Sequence, residues 1–248
     1  MQRIKLELFK TFFEKNLTGN EIDFLIALTY VQDNRGVARG VFYRDMMAVT
    51  GMSTQAFYDC KRSLETKGVI SVQRKEQDYD ITLIGNDFSG YTEEDYQLGN
   101  VKYIRTNMKL FRDINWNKLK PAQKLLVMDL VNINTASSMR TYRITRKKFI
   151  EKYTELLQVT GRTLQKYMKF LKLYFYVGLK EGMYYITLRK QFSSSITRTE
   201  SDEVNRHLLN TACRRNRIKE QDEKEAADIL KSQGAKYRNL SVDSTSDA

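Results

Sequence analysis

Residues 45–57 read Asp45-Met-Met-Ala-Val-Thr-Gly-Met-Ser-Thr-Gln-Ala-Phe57, and this stretch carries the clearest structural signal in the chain. Its methionines and valine have helical spacing, and Gly51 then supplies a turn. Ser53 is a residue type that caps helix N-termini, and it stands directly before a second apolar pattern. The stretch therefore predicts a short helix, a turn and a longer helix that ends near Leu64-Glu-Thr-Lys-Gly-Val-Ile70.

The same order of residues returns in the second half of the chain. Val49-Thr-Gly51 recurs as Val159-Thr-Gly161, and Gln55 is matched by Gln165. Other landmarks recur too: Phe57 as Tyr167, Leu8-Phe9 and Leu17 as Leu110-Phe111 and Leu119, and Ile-Thr-Leu at 81–83 and 186–188. The offset between copies drifts from 102 to 110 to 105, which places an insertion before the second helix of copy two and a shorter hairpin near its end. The chain therefore contains an internal repeat.

Helix-start signals place the remaining helices. The spacing of Thr18 and Glu21 is that of a capping box and predicts a first helix in copy one, and Pro121 marks the matching start in copy two. Thr145 is the expected cap of the second helix of copy two, and Thr163 that of its third helix.

Two β-hairpins are predicted after the third helices. Residues 69–73 and 81–84 form one pair of β-like runs, and residues 175–179 and 183–188 form the other. Each copy is thus expected to run helix, helix, turn, helix and hairpin, with Gly51 or Gly161 at the turn.

This order resembles the winged-helix variant of the helix-turn-helix, and residues 45–57 and 64–70 are similar to that family's core signature. The resemblance covers roughly residues 3–88 and 103–190, although copy two has Tyr174-Phe-Tyr-Val-Gly178 in place of Leu-Glu-x-Lys-Gly. It implies a mainly α fold with small β-hairpin wings (α+β). In the family the third helix enters the major groove and the wing touches the phosphate backbone.

Four segments are expected on this basis. They are a first winged helix (1–88), an acidic linker (89–100), a second, strongly basic winged helix (101–192) and a charged C-terminal tail, partly helical or disordered (193–248).

Composition excludes several classes of chemistry. His207 is the single histidine, so three-His zinc sites and the paired-histidine site of rolling-circle nickases cannot form within one chain. Cys60 and Cys213 lie far apart and support neither a disulfide framework nor a thiolate cluster. No phosphate-binding loop of the Gly-x-x-x-x-Gly-Lys type and no long apolar span is present. We expect a cytoplasmic, nucleoid-associated protein that is not an enzyme, has no cofactor or metal and does not bind a membrane.

The net charge of +12 is unevenly placed. Residues 1–90 carry 12 basic and 12 acidic side chains, and residues 91–100 add three acidic ones. Residues 101–190 carry 20 basic and 5 acidic side chains, whereas the tail after them is balanced. All of the positive excess therefore belongs to the second repeat, which predicts an acidic partner for it.

A helical wheel divides the third helix of copy two into two faces. Arg162, Lys166 and Lys169 share one arc with Gln165 and Lys172, and an apolar side lies opposite. When the copies are aligned on Val-Thr-Gly, copy one has Met52, Ala56 and Asp59 at the positions of these first three cations. Copy one has therefore lost most of the positive arc. Arg and Lys neutralise phosphates, and Gln can pair with adenine, so Gln55 and Gln165 are candidate base readers.

The candidate DNA-binding residues fall into three groups. They are the third helix of copy two (Arg162, Thr163, Gln165, Lys166, Lys169, Lys172), the start of its second helix and its wing (Arg143, Arg146, Lys147, Lys180), and the third helix of copy one (Ser53, Thr54, Gln55, Tyr58, Arg62).

Each pattern also has a plainer structural interpretation. A Lys-rich helix face can be only a solvated surface, and the basic residues before the second helix can be a hydrated loop. Five aromatic residues could stack on single-stranded bases or form the core of the hairpin: Tyr174, Phe175, Tyr176, Tyr184 and Tyr185. Asp78 and Asp80 in the first wing are expected to be solvated turn residues.

The expected function is sequence-specific binding of double-stranded DNA by a transcriptional regulator, with the second repeat as the main reader. The architecture also resembles bacterial plasmid-type replication initiators that bind repeated origin sites. A third possibility is an adaptor whose neutral first repeat docks a replication or transcription protein. A homodimer through the first repeat or the tail is a further expectation.

Overall fold

The computed structural model of the chain describes residues 3–105, 108–136 and 141–193. Within them the protein is an α+β fold of helices and small antiparallel sheets. The elements of the first half are β1 (Arg3–Lys5), α1 (Leu6–Glu14), α2 (Gly19–Val31), β2 (Val37–Val41), α3 (Tyr43–Thr50), α4 (Thr54–Thr66), β3 (Ile70–Lys75) and β4 (Asp78–Leu83). Those of the second half are α5 (Glu93–Gln97), β5 (Tyr103–Arg105), α6 (Met108–Phe111), α7 (Pro121–Ala136), β6 (Thr141–Thr145), α8 (Arg146–Leu157), α9 (Gly161–Tyr174), β7 (Phe175–Lys180), β8 (Met183–Leu188) and α10 (Lys190–Ser193).

The two repeats have the same order of elements and the same sheet topology. In each, a helix, a strand, two helices and a hairpin follow one another. The sheets have the orders β2-β4-β3 and β6-β8-β7, so the strand between the first two helices pairs with the last strand of the hairpin. Both predicted hairpins are confirmed. The strands β2 and β6 were not predicted, because Gly40 interrupts the first and the second was interpreted only as a basic segment.

Helix caps explain where the helices begin. Thr18 and Glu21 form the predicted capping box, and Ser53 and Thr145 accept bonds from the backbone N–H groups of Ala56 and Lys148. The predicted cap Thr163 is wrong, since the Thr160 side chain accepts the Thr163 N–H and α9 starts earlier than expected.

The turn before the third helix differs between the repeats. Gly51 has a left-handed conformation (φ 74°) and ends α3 as predicted, and glycine adopts such a conformation without steric cost. In the second repeat Gln158 holds that conformation (φ 51°), and Gly161 is instead the first residue of α9. The prediction of Gly161 as the turn is therefore wrong.

These boundaries correct the alignment of the repeats. Val49-Thr-Gly51 ends the eight-residue α3, whereas Val159-Thr-Gly161 leads into α9 after the longer α8 of 12 residues. Aligning the caps Ser53 and Thr160 instead gives an offset of 107. With this offset the buried residues of the third helices coincide: Phe57, Cys60 and Leu64 with Leu164, Tyr167 and Leu171.

The two repeats are joined by their first strands. β1 pairs with β5 in antiparallel fashion, with Ile4 opposite Ile104 and Arg3 opposite Arg105. Because these strands are equivalent in the repeats, they meet as they would across a local two-fold axis. The helix α1 that follows β1 was not predicted, and it buries Leu8 and Phe9.

A buried ion pair joins α2 of one repeat to α7 of the other. The Lys124 Nζ atom lies 2.6 Å from Asp23 Oδ2, and the two side chains are only 3% and 5% exposed. The Trp116 indole N–H donates to the other Asp23 oxygen at 2.7 Å. Burial raises the pKa of Asp23, although Lys124 and Trp116 both favour the ionised form. The carboxylate thus depends on partners from the opposite repeat.

Asn86 completes the junction near β1. Its side chain is fully buried, accepts the Lys5 N–H (2.7 Å) and donates to Gln32 Oε1 (2.7 Å) and to the Arg3 carbonyl. Nearby, the Arg3 guanidinium stacks on the Phe88 ring, 4.2 Å from its centre. The last residues of the first repeat are therefore part of the core.

We expect Asn86→Ala to lower the free energy of unfolding by about 2–4 kcal/mol, because it leaves the buried Gln32 Oε1 and the partly buried Lys5 N–H without this partner. Urea denaturation measures the change. Asn20→Ala, at an exposed site in α2, is the control and should change stability by less than about 0.5 kcal/mol. Equal effects of the two substitutions would contradict the structural role of Asn86.

One prediction for the first wing is wrong. Asp78 is fully buried rather than solvated, and it opens strand β4 opposite Lys75. Asp80 is also largely covered, because it accepts the Gly40 N–H at 3.0 Å and lies 3.7 Å from Arg39. Both residues belong to strand β4, and the contacts of Asp80 with the neighbouring strand β2 account for its low exposure.

Candidate nucleic-acid interface

The helix α9 separates an apolar face from a basic one. Leu164, Tyr167 and Leu171 are 1–8% exposed and dock on the rest of the repeat, so the predicted apolar side is confirmed. The opposite face consists of exposed side chains: Arg162, Gln165, Lys166, Lys169 and Lys172. Because α9 contains no acidic residue, nothing within the helix neutralises these cations.

Thr163 differs from its predicted neighbours on α9. Its hydroxyl lies 3.0 Å from the Thr160 hydroxyl and its side chain is half-buried. It therefore belongs to the helix cap rather than to the exposed basic face.

Sequence reasoning missed two apolar residues on the basic face. Phe170 is 43% exposed and Leu173 is 41% exposed. On the wheel they fall next to Lys166 and Arg162, so the exposed face of α9 is partly apolar.

A second group of cations gathers at the start of α8. The Arg146 backbone N–H donates to the Gly182 carbonyl at 2.8 Å, which ties the β7–β8 turn to this helix end. The exposed side chains of Arg146, Lys147 and Lys180 therefore lie in one region of the repeat. The ion pairs of Lys147 with Glu151 and of Lys180 with Glu181 are 3.9 and 3.8 Å long and join exposed side chains, so they hold these cations only weakly.

Arg143 lies outside that group, on strand β6. Its guanidinium is 5.9 Å from the centre of the Tyr185 ring. It occupies the exposed face of the sheet rather than a helix start.

The predicted residues of the first repeat form a separate and weaker surface. The Gln55 amide donates to Asp59 at 2.9 Å, and Ser53 is used as the helix cap. With the offset of 107, α4 has Gln55, Asp59, Arg62 and Glu65 where α9 has Arg162, Lys166, Lys169 and Lys172. The absence of a positive arc therefore persists in the corrected alignment, since two of the four positions are carboxylates.

The other residues of this group are only partly available. Thr54 is exposed, and its hydroxyl contacts the Met47 sulfur at 3.3 Å. Tyr58 is half-buried between the rings of Phe57 and Tyr43.

The aromatic cluster divides between core and surface. Tyr174 and Phe175 are fully buried, and Tyr184 packs against Phe149 with ring centres 5.2 Å apart. Tyr176 is 56% exposed and Tyr185 is half-buried. The core interpretation is thus right for three of the five residues.

The described residues show little sign of other chemistry. Burial raises the pKa of the Cys60 thiol to about 12, which keeps it protonated and unreactive at neutral pH. Across residues 3–105, 108–136 and 141–193, no three His, Cys, Asp or Glu side chains come together as metal ligands would. No helix in the same ranges has the length and apolarity needed to cross a membrane. His207, Cys213 and the predicted tail beyond Ser193 lie outside the described residues.

Comparison with known proteins gives no match. No protein-family model, no curated protein and no solved structure is similar enough to this chain to be matched to it.

Proposed function

We propose that each repeat is a winged helix and that the second repeat binds double-stranded DNA through α9. The observation that carries this proposal is the exposed face of α9, with four cations and one glutamine and no carboxylate in the helix. The element order and the sheet order β6-β8-β7 are those expected of a winged helix. Such a face matches the dense negative charge of a duplex.

The positions of the side chains suggest a division of roles along α9. Arg162 and Gln165 lie in its first turns, the part of a recognition helix that reaches base edges. Both types form paired hydrogen bonds with bases, Arg with guanine and Gln with adenine. Lys166, Lys169 and Lys172 suit phosphate contacts, which fix the orientation of the protein on the duplex.

The start of α8 and the β7–β8 turn provide further phosphate contacts in this proposal. Arg146 and Lys147 flank the N-terminus of α8, where the positive end of the helix dipole favours anions. The hydrogen bond between Arg146 and Gly182 holds Lys180 beside them. A phosphate at this position would meet charges from two elements that are already in place.

The process that this binding serves is transcriptional regulation in our proposal, with replication initiation as the alternative. The buried contacts between the repeats give one chain two third helices in a fixed relation. Selection of bound sequences from a random DNA library distinguishes the processes, since a lone site of two parts favours a regulator and iterated sites favour an initiator.

Substituting one cation of α9 tests the binding surface. We expect Lys169→Ala to weaken duplex binding and to reduce the slope of log affinity against log salt concentration by about 1, because one phosphate contact is lost. Fluorescence anisotropy with a selected duplex at several salt concentrations measures the slope.

The first repeat supplies a matched control. Arg62 occupies the position of Lys169 in the corrected alignment, and Arg62→Ala should change affinity and slope less. Gln55→Ala should likewise have a small effect. A larger effect of either control than of Lys169→Ala would show that the first repeat is the main reader.

A further inference from the structure

The second sheet has a face that points away from the helices of its repeat. Phe175, Ile186 and Leu188 are 0–6% exposed and point toward the helices. Because side chains alternate along a strand, Tyr176 and Tyr185 lie on the opposite face. Two of the five clustered aromatic residues thus lie on an outer surface that the packing of the repeat does not use.

Each of these tyrosines has an arginine beside it. The Arg189 guanidinium is 4.7 Å from the centre of the Tyr176 ring, and its Nε donates to the Lys172 carbonyl at 3.0 Å. Arg143 stands opposite Tyr185 in the sheet, with its guanidinium 5.9 Å from the ring centre. The face therefore has two neighbouring aromatic rings, each with an arginine beside it.

Gly178 leaves room next to Tyr185. It is paired with Tyr185 across the strands, and a Cβ atom at Gly178 would lie 3.9 Å from the Tyr185 Cβ. Tyr176 lies two residues earlier on the same strand, so the tyrosines are diagonal neighbours, about 7–8 Å apart. No side chain at Gly178 stands between the two rings.

The first repeat has no aromatic rings on the equivalent face. With the hairpins aligned at an offset of 105, Ser71, Gln73 and Asp80 replace Tyr176, Gly178 and Tyr185. The nearby Arg39 lies 3.7 Å from Asp80 and 3.8 Å from Asp33, which neutralise it. The same fold therefore forms without the aromatic rings, and folding alone does not account for them.

We propose that this outer face, called here the tyrosine face and formed by Arg143, Tyr176, Gly178, Tyr185 and Arg189, binds single-stranded DNA. Unpaired bases would stack on the two rings, and the guanidinium groups would contact phosphates. Two neighbouring rings suit two successive bases of a nucleotide chain, and the arginine beside each ring suits the phosphates that link them. A peptide that paired with the edge strand β7 would bind through backbone hydrogen bonds, so it would need neither the rings nor the arginines of this face. The proposal does not depend on duplex binding by α9, since it uses a different surface.

Binding of an oligothymidylate of about 12 nucleotides to the full chain tests the proposal. We expect Tyr176→Ala and Tyr185→Ala each to weaken this binding by about 5- to 100-fold, because stacking on a ring is lost. Tyr176→Phe and Tyr185→Phe keep the rings and should bind nearly as wild type does. Fluorescence anisotropy with the labelled oligonucleotide provides the dissociation constants.

Gly178→Gln gives an independent test, since it places the first repeat's residue against Tyr185 without removing a ring. It should weaken oligothymidylate binding and leave the melting temperature unchanged, so the test remains valid even if the alanine variants fold poorly. Ser71→Ala is the matched control in the first repeat and should have no effect.

The duplex serves as the comparison ligand. Substitutions on the tyrosine face should leave duplex affinity nearly unchanged, and Lys169→Ala should affect the duplex more than the oligothymidylate. If wild type does not bind the oligothymidylate, or if the alanine variants and Gly178→Gln bind it as well as wild type does, the tyrosine face is not a single-strand site. Loss of duplex binding alone would overturn only the role of α9.

Discussion

Lys124→Met is expected to lower the free energy of unfolding by about 3–5 kcal/mol, the cost of leaving one member of a buried ion pair without its partner. Lys124 and Asp23 are almost fully buried and come from different repeats. The Trp116 N–H alone then faces a carboxylate that has lost its cation. Urea denaturation followed by circular dichroism measures the loss.

The loss should depend on pH in a defined direction. Burial raises the pKa of Asp23 above its ordinary value of 3.8 already in the wild type, and removing the Lys124 charge raises the pKa further. A carboxyl group with a raised folded-state pKa takes up protons on folding, so folding is favoured as the pH falls from that pKa toward the unfolded value. The deficit of Lys124→Met should therefore be greatest near neutral pH and shrink in acid.

Two controls separate the ion pair from general effects of the substitution. Lys118→Met removes an exposed cation and should cost less than about 0.5 kcal/mol. Adding Asp23→Asn to Lys124→Met should recover part of the stability, because the uncompensated charge disappears. A double variant less stable than Lys124→Met would contradict this account of the pair.

Combined substitution of Arg162, Lys166 and Lys169 by alanine should weaken duplex binding by about 10²- to 10³-fold near 0.1 M salt. The three side chains are exposed on one face of α9, and their removal leaves the buried face of the helix intact. The salt slope should fall by about 2, since Lys166 and Lys169 are the phosphate contacts of the three and Arg162 is assigned to base edges. Anisotropy titrations at a series of salt concentrations measure both quantities.

The triple variant should still bind duplex DNA weakly, through the cations at the start of α8. Adding Arg146→Ala and Lys180→Ala should then reduce the remaining slope, because these cations lie on adjoining elements. Thermal unfolding should be unchanged in all of these variants. A triple variant that binds duplex DNA with the wild-type slope would remove α9 from the interface.

Local patterns in the sequence were sufficient for much of the architecture. The capping box at Thr18, the cap at Ser53 and both hairpins are short-range features, and the structure confirms them. The basic face of α9 followed from helical periodicity in the same way. In each case the residues involved are close together in the sequence.

Alignment of the repeats was wrong because sequence identity and structural equivalence differ there. Gln55 and Gln165 are identical residues at matching places of the sequence repeat, but Gln55 corresponds in the fold to Arg162. Buried positions and caps would have given the correct offset, since packing constrains them more strongly than it constrains an exposed glutamine.

Contacts between the repeats could not be predicted from local patterns. Asp23 and Lys124 are charged residues on predicted helices, and such residues are ordinarily exposed. Their burial follows from the packing of α2 against α7, which depends on residues about 100 positions apart. The pairing of β1 with β5 likewise joins segments too short to be recognised as strands.

The strand pair centred on Ile4 and Ile104 joins two halves in which substitutions can accumulate independently. In a symmetric homodimer every substitution appears on both subunits, so an altered surface is always altered twice. Here both halves belong to one polypeptide, and a change on one side leaves the other as it was. Tyr185 and Asp80 can therefore differ at equivalent positions, and so can Lys169 and Arg62. One gene thus encodes a paired molecule whose two sides are free to specialise.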